Sequence, residues 1–232
     1  MTHPHDIEEG GFRATEQAGG DPRAFEANGA GHPSADYLAL PSAAREVLDF
    51  WFGAPDSPRF GRADSRWFAR DDAFDAELTA RFAPTLASAC SGELDDWQRT
   101  PLGALALILV LDQFSRNLHR GHAQAFAGDA RALAAAQQLV RTQADRLLPT
   151  SHHRVFAYLP FEHAESLEAQ RESVRLFDAL AEETGERGNL EYAIRHWEIV
   201  ERFGRFPHRN VVLGRTSTDE ERAFLLEPNS SF

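Results

Sequence analysis

Three stretches of this sequence place charged or polar side chains where a helical pattern predicts apolar ones. They read LDQFSRNLHRG at residues 111–121, YLPFEHAES at residues 158–166 and RFGRFPHRNVVLGR at residues 202–215. Histidine beside a carboxylate can transfer protons near neutral pH, and arginine binds carboxylate and phosphate groups. The three stretches therefore indicate proton transfer or anion recognition as the chemistry of this chain.

The third stretch concentrates positive charge in an acidic protein. It contains Arg202, Arg205, Arg209 and Arg215, whereas the full chain has a net charge of −12. Arginines held beside an apolar residue such as Phe206 can present planar guanidinium groups for bidentate recognition of an anion. The same arginines would serve equally well to pair with buried carboxylates of the protein itself. The sequence leaves both interpretations open.

The second stretch places His163 on the interior-facing side of a predicted helix. Steps of three or four residues along the helix connect Phe156, His163 and Gln170. Such a histidine is either a core residue with satisfied hydrogen bonds or a proton-transfer group. Glu162 and Glu165 lie close by in the sequence, and a nearby carboxylate tunes an imidazole toward neutral-pH chemistry. Both interpretations of His163 stand.

The first stretch ends the most apolar segment of the chain with a carboxylate. Asp112 follows the run LGALALILVL at residues 102–111, and Arg116 and Arg120 come one and two helical turns later. A buried carboxylate stays ionised only when it is paired, so Arg116 is predicted to contact Asp112. This contact is either a structural ion pair at the end of a central helix or part of a functional site.

Composition excludes several classes of chemistry. All 24 basic residues are arginine, which rules out Schiff-base catalysis and a phosphate-loop lysine. The single cysteine, Cys90, cannot form a disulfide within the chain. No histidine has the spacing of a known zinc or di-iron motif, so no metal site is expected.

Charge and hydropathy also limit the partners. A net charge of −12 argues against nucleic acid, which binds to positive surfaces. The apolar run at residues 102–111 is about half the length that crosses a bilayer, so no membrane span is expected. The start of the chain lacks a secretory pattern, and the expected location is the cytoplasm.

Helical periodicity predicts an all-α fold. Short connections favour a tetratricopeptide-repeat-like stack of antiparallel helix pairs around a central apolar helix, which Thr100 and Pro101 open. Residues 39–232 form the predicted helical domain, and residues 1–38 a disordered, acidic, Gly-rich tail. Capping residues predict further boundaries: a helix from Asp71 or Asp72 to Gly92, one from Asp129 to about Leu148, a stretch from His152 to Glu183 interrupted at Pro160, a helix ended by Gly204, and a capping box of Thr218 with Glu221.

The motifs also resemble those of a known family. VLDFWFG at residues 47–53, RWF at residues 66–68, the first two stretches above and RFGRFPHRNVVLGRTSTDEE at residues 202–221 are similar, in order and spacing, to the bacterial domain-of-unknown-function 924 family. The resemblance implies an all-α fold similar to tetratricopeptide-repeat proteins, and it implies no activity. The polar signature positions of the family fall here on Asp112, Gln113, Arg116, Asn117, His163, Glu165, His196, Arg205, His208, Arg209 and Asn210.

Two functional hypotheses follow. The first is an enzyme or sensor that binds an anionic small molecule in a helical cleft and uses histidine general acid–base chemistry. Its catalytic candidates are His163, His208 and Asp112, with Asp112 in an orienting role. Its ligand-binding candidates are Arg116, Arg120, Arg202, Arg205, Arg209, Asn210, Glu165 and His196. The alternative is a tetratricopeptide-repeat-like interaction module that binds an acidic peptide or protein partner.

Overall fold

All regular secondary structure in the described residues is helical, which confirms the predicted all-α class. The computed structural model describes residues 34–228, 230 and 231, so most of the predicted tail lies outside the described residues. No helix in this part of the chain has the length and apolarity that crossing a membrane requires. The α-helices are α1 (Ala35–Ala39), α2 (Ser42–Phe52), α3 (Asp72–Ser91), α4 (Pro101–Leu109), α5 (Ser115–Leu118), α6 (Asp129–Arg141), α7 (Ser151–Glu162), α8 (Leu167–Thr184), α9 (Gly188–Phe203) and α10 (Asp219–Phe224). Turns of 3₁₀ helix lie at Ser65–Trp67, Asp95–Arg99, Ala123–Phe126, Ala144–Leu147 and Pro207–Arg209, and a π-helical turn lies at Val110–Phe114.

Several helix ends fall where capping residues predict them. The Asp71 side chain accepts hydrogen bonds from two backbone N–H groups at the start of α3, and Gly92, with a left-handed φ of 89°, caps the end of α3. The Thr100 side chain caps α4, and Thr218 and Glu221 form the capping box of α10. These boundaries depend on local hydrogen bonds, which is why the sequence predicts them.

Two helix boundaries differ from the prediction. The helix α6 ends at Arg141 instead of near Leu148, because Gln143 adopts a left-handed conformation with a φ of 58° that interrupts the helical ladder. Pro160 does not interrupt its helix, since it lies inside α7, which continues to Glu162. A proline near the end of a helix removes one hydrogen bond without ending the helix.

The segment formed by α4, the π-helical turn and α5 is the buried centre of the fold. Residues 102–115 are all buried, and α2, α6 and α7 pack against α4. The Ser115 N–H donates to the Val110 carbonyl five residues earlier, which makes this turn wider than an α-helical turn. The wide turn holds Asp112 in the core, and α5 presents Arg116 one turn later, within contact of Asp112.

Close packing of two backbones brings α6 to this turn. A Cβ atom at Gly128 would lie 2.2 Å from the Leu111 carbonyl oxygen, so only glycine permits the approach. Gly128, and not Asp129 as predicted, occupies the N-cap position of α6. The Asp129 carboxylate is therefore available to Arg116, which the preceding helix α5 presents on the same side.

Candidate functional site

A cavity of about 340 Å³ opens between α5, the C-terminal end of α7, α9 and the 3₁₀ turn Pro207–Arg209. Its volume falls within the range of small-molecule pockets. Aromatic and aliphatic side chains, including Trp67, Phe68, Phe126 and Leu159, form its apolar walls. Its basic lining includes Arg116, Arg120, His163, His196, His208 and Arg209.

Asp112 lies at the base of this cavity, where it is fully buried and hydrogen-bonded. Its Oδ1 lies 2.7 Å from His163 Nδ1 and 3.1 Å from Arg116 Nη1, and its Oδ2 accepts from Gln113 Nε2 at 2.6 Å. Burial alone would raise the pKa of Asp112, but the charge of Arg116 and the contact with His163 hold it well below its usual range. Asp112 is therefore ionised, and its predicted contact with Arg116 is confirmed.

The ionised Asp112 fixes the orientation of His163. The carboxylate can only accept, so His163 Nδ1 carries the proton of this hydrogen bond and Nε2 keeps its lone pair. Burial and the nearby charge of Arg116 lower the pKa of His163, although Asp112 opposes this shift. The imidazole is consequently neutral at pH 7 and lines the cavity as a base.

Arg116 and Arg209 share one carboxylate. Arg116 donates to both oxygens of Asp129 at 2.9 and 3.2 Å, whereas Arg209 Nη1 lies 3.5 Å from Asp129 Oδ2. The Arg209 guanidinium packs between the rings of Phe126 and Phe206, with its Cζ 4.7 and 4.4 Å from their centroids. Burial and the charge of Arg116 lower the pKa of Arg209 to about 10. Arg209 is thus held rigidly, and its one ion pair is long.

Glu162 is a second buried carboxyl group of the cavity, and the site prediction did not include it. It is 4% exposed at the C-terminal end of α7, next to His163. Its Oε1 lies 3.3 Å from His196 Nδ1, but that N–H donates at the shorter distance of 2.9 Å to the Tyr192 carbonyl. Burial, reinforced by the charge of Asp112, raises the pKa of Glu162 to about 8. Glu162 is therefore mostly protonated at pH 7.

The chain is similar to known bacterial proteins. A family model described as "Bacterial protein of unknown function (DUF924)" matches residues 47–229. The chain belongs to this family. A similar solved structure is that of the protein of unknown function ATU0120 from Agrobacterium tumefaciens, which is 40% identical. The match covers 79% of this chain and 96% of that chain, with a TM-score of 0.70. No curated protein matches this DUF924 chain.

A separate group of ion pairs in this DUF924 protein connects the end of α7 to the C-terminal segment. We call it the C-terminal cluster, formed by Glu165, Arg205, Asn210, Arg215 and Glu221. Arg215 donates to both oxygens of Glu165 at 2.6 and 2.9 Å, and its Nε donates to Asn210 Oδ1 at 2.9 Å. Arg205 donates to both oxygens of Glu221 at 2.6 and 2.8 Å. The hydrogen bonds from Arg205, with those from the Thr218 backbone and Asn210, lower the pKa of Glu221 to about 2.

The structure brings part of the predicted site together at the cavity. Six of the predicted side chains line it, and Asp112 lies behind His163: the six are Arg116, Arg120, His163, His196, His208 and Arg209. Arg120 also pairs with Asp75 at 3.0 Å. Burial and the charge of Arg209 lower the pKa of His208 to about 3, so this imidazole is neutral at pH 7.

The other predicted ligand-binding residues lie away from the cavity. Glu165, Arg205 and Asn210 belong to the C-terminal cluster, and Arg202 pairs with Glu220 on the surface. The division within residues 202–215 follows from the 3₁₀ turn Pro207–Arg209, which carries Arg209 inward while its neighbours contact α10 and Glu165. The described residues hold no group of three or more His, Cys, Asp or Glu side chains placed to bind a metal ion.

Sequence reasoning missed three participants. Asp129 was predicted to be a helix cap, Asp75 was not considered as a site residue, and Glu162 was noted only as a neighbour of His163. The available signal for Glu162 was its position in the buried segment YLPFEHAES without an arginine one turn away. A carboxyl group in such surroundings tends to remain protonated.

Proposed function

We propose that this protein binds an anionic small molecule in the cavity and that Arg209 is the main contact. The supporting observation is the incomplete pairing of this guanidinium. Arg209 is 6% exposed, and its Nε has no hydrogen-bond partner among the described residues. Arg209 lines the cavity with a single ion pair of 3.5 Å, and an anion in the cavity would complete the pairing of this buried charge. The family assignment itself specifies no function.

The surroundings of Arg209 favour a small ligand of mixed polarity. Phe126 and Phe206 hold the guanidinium in one orientation, which reduces the entropy lost on binding. Arg116 and Arg120 lie on the same cavity wall and would add positive charge. The apolar walls would contact the uncharged part of the ligand. A volume of about 340 Å³ suits a small molecule better than an extended acidic peptide, the alternative partner.

The enzyme hypothesis rests on His163. With Asp112 holding Nδ1, Nε2 is the proton-accepting atom, and the neutral imidazole suits general base catalysis near pH 7. His208 is the other proposed proton-transfer group, since it also lines the cavity. We also propose the cytoplasm as the place of action, where the single cysteine, Cys90, would stay reduced.

Thermal unfolding with added anions tests the proposed binding. The full chain is heated with inorganic phosphate, with small mono- and dicarboxylates, or with an acidic peptide, and Arg209→Met is compared with the matched surface variant Arg202→Met. A ligand at a hundred times its Kd stabilises the fold by about 2.7 kcal/mol. We expect a small anion to raise the Tm of the wild type and of Arg202→Met but not of Arg209→Met. Stabilisation by the acidic peptide alone would favour the interaction module, and equal stabilisation of both variants would remove Arg209 from the site.

A further inference from the structure

The cavity combines a base and an acid at its inner end. His163 Nε2 carries the lone pair, and Glu162 is the neighbouring carboxyl group. The His196 ring lies near both groups. Its centroid is 6.3 Å from that of the His163 ring, and its Nδ1 is 3.3 Å from Glu162 Oε1. His163 and Glu162 both line this cavity, and the inference below places one small ligand between them.

We infer that this site transfers protons on a small 2-oxo carboxylate, with His163 as the base and Glu162 as the acid. The inference rests on the proposed anion binding and adds a reaction to it. A 2-oxo carboxylate has the two features that these groups require. Its carboxylate suits Arg209, and the hydrogen on the carbon next to its carbonyl is acidic enough for a histidine base. The apolar walls formed by Trp67 and Phe126 would contact its side chain.

The proton transfers balance without a further reactant. The lone pair of His163 Nε2 takes the proton from the carbon next to the carbonyl, and the C–H bonding pair becomes a C=C π bond. The carbonyl π pair moves to oxygen, and that oxygen takes the proton of the Glu162 carboxyl group. The product is the enol, with a protonated His163 and an ionised Glu162. Reversal of both transfers restores the ketone. In D₂O the proton on His163 Nε2 exchanges with solvent before reversal, so the atom that returns to carbon is deuterium.

Opposite environments give the two groups their roles. Burial and Arg116 keep His163 neutral, while burial and Asp112 keep Glu162 protonated up to a pKa of about 8. Pairs of titratable groups with pKa values moved in opposite directions mark acid–base assignments in enzymes. The other titratable groups that line the cavity are Arg116, Arg120, Tyr192, His196, His208 and Arg209.

Covalent catalysis through serine, threonine, cysteine or lysine lacks the side chains it needs in this lining. The described cavity lining contains no serine, threonine, cysteine or lysine. A covalent acyl or Schiff-base intermediate on those residue types therefore has no attachment point in the described lining. Proton transfer requires only the acid and the base that are present.

Hydrogen–deuterium exchange tests this inference directly. The full chain is incubated in D₂O with phenylpyruvate, 2-oxobutyrate or 2-oxoglutarate, and proton NMR follows loss of the signal from the carbon next to the carbonyl. We expect exchange above the spontaneous rate for at least one acid, loss of that excess in His163→Asn, and a fall of about 100-fold in Glu162→Gln. Arg202→Met, on the surface, should exchange at the wild-type rate.

The pH profile separates catalysis from folding. Exchange should rise as His163 loses its proton and fall above about pH 8 as Glu162 ionises, and Glu162→Gln should lose the alkaline fall. Thermal unfolding of the same samples establishes that each variant is folded and whether each acid binds. Binding of these acids through Arg209 with no exchange would overturn the inference and leave the proposed binding intact. Absence of stabilisation by any small anion would instead contradict the proposed binding itself.

Discussion

Two groups of ion pairs draw arginines from the same stretch, residues 202–215, and use them differently. In the C-terminal cluster, Arg215 donates from all three nitrogens to Glu165, Asn210 and the Phe206 carbonyl at distances of 2.6 to 3.1 Å. At the cavity, Arg209 has one contact of 3.5 Å and an Nε without a partner among the described residues. Where all three nitrogens donate within the protein, we expect the side chain to hold the fold together. Where the guanidinium lines a cavity with one long contact, we propose that the side chain binds a ligand.

The largest change in stability is expected at Glu162, the buried acid of the cavity. Its pKa is raised from 4.5 to about 8, so the folded state retains a proton that the unfolded chain releases. The contribution of this group to stability is therefore complete below about pH 4.5 and is lost as the pH rises to about 8. Glutamine cannot ionise, and we expect Glu162→Gln to be more stable than wild type by roughly 2–4 kcal/mol at pH 8.5. Urea unfolding at pH 5 and pH 8.5 measures the difference.

If wild type and Glu162→Gln differed in unfolding free energy by the same amount at pH 5 and pH 8.5, Glu162 would titrate normally. The cavity would then lack the buried acid that distinguishes it from the C-terminal cluster. A carboxylate of that cluster, replaced in the same way, supplies the matched control. Glu221 has a pKa lowered to about 2, so Glu221→Gln should lose stability at pH 7 where Glu162→Gln does not.

A somewhat smaller effect is expected at Glu165. This carboxylate accepts two hydrogen bonds from Arg215 and one from the Phe206 backbone N–H at 2.8 Å. Its removal leaves Arg215 without its charged partner, and we expect Glu165→Ala to lose about 2–3 kcal/mol of unfolding free energy at pH 7. Urea unfolding measures the loss. A change within 0.5 kcal/mol would show that the C-terminal cluster does not hold the fold, and the comparison would fail.

The smallest effect is expected at Arg202. It pairs with Glu220 at 2.9 Å, but both side chains are largely exposed. Exposed pairs contribute little because water and salt screen them, so Arg202→Ala should change stability by less than about 0.5 kcal/mol. Thermal unfolding at low and high salt measures this change. A larger loss of stability would indicate that the position of an arginine within residues 202–215, and not the burial of its ion pair, determines its contribution to stability.

The sequence predicts the local parts of this structure better than the long-range ones. The contact between Asp112 and Arg116 joins residues one turn apart, so helical spacing is sufficient to predict it. The different surroundings of Arg205 and Arg209 are not predictable in this way. Asp129 lies 80 residues before Arg209, and its position depends on the close approach of α6 to the π-helical turn.

The burial of Glu162 is also difficult to predict from the local sequence. Its neighbour His163 falls on the interior-facing side of a helix by periodicity, and the structure places it against Asp112. For the adjacent carboxyl group the sequence offers only the lack of an arginine one turn away, because the helix that covers it, α9, comes from a distant part of the chain. A side chain enclosed by a helix that comes later in the sequence is not predictable from its own helix.

The π-helical turn Val110–Phe114 has a consequence for alignments. One residue of an α-helix advances the chain by about 100° around the axis. A π-helical turn takes up one extra residue as a bulge inside a helix, so deleting one residue from this turn would restore an ordinary helix and turn α5 by much less than 100° relative to α4. A homologue with a one-residue gap at residues 110–114 should therefore keep the residues after the gap, Arg116 included, in nearly the same place.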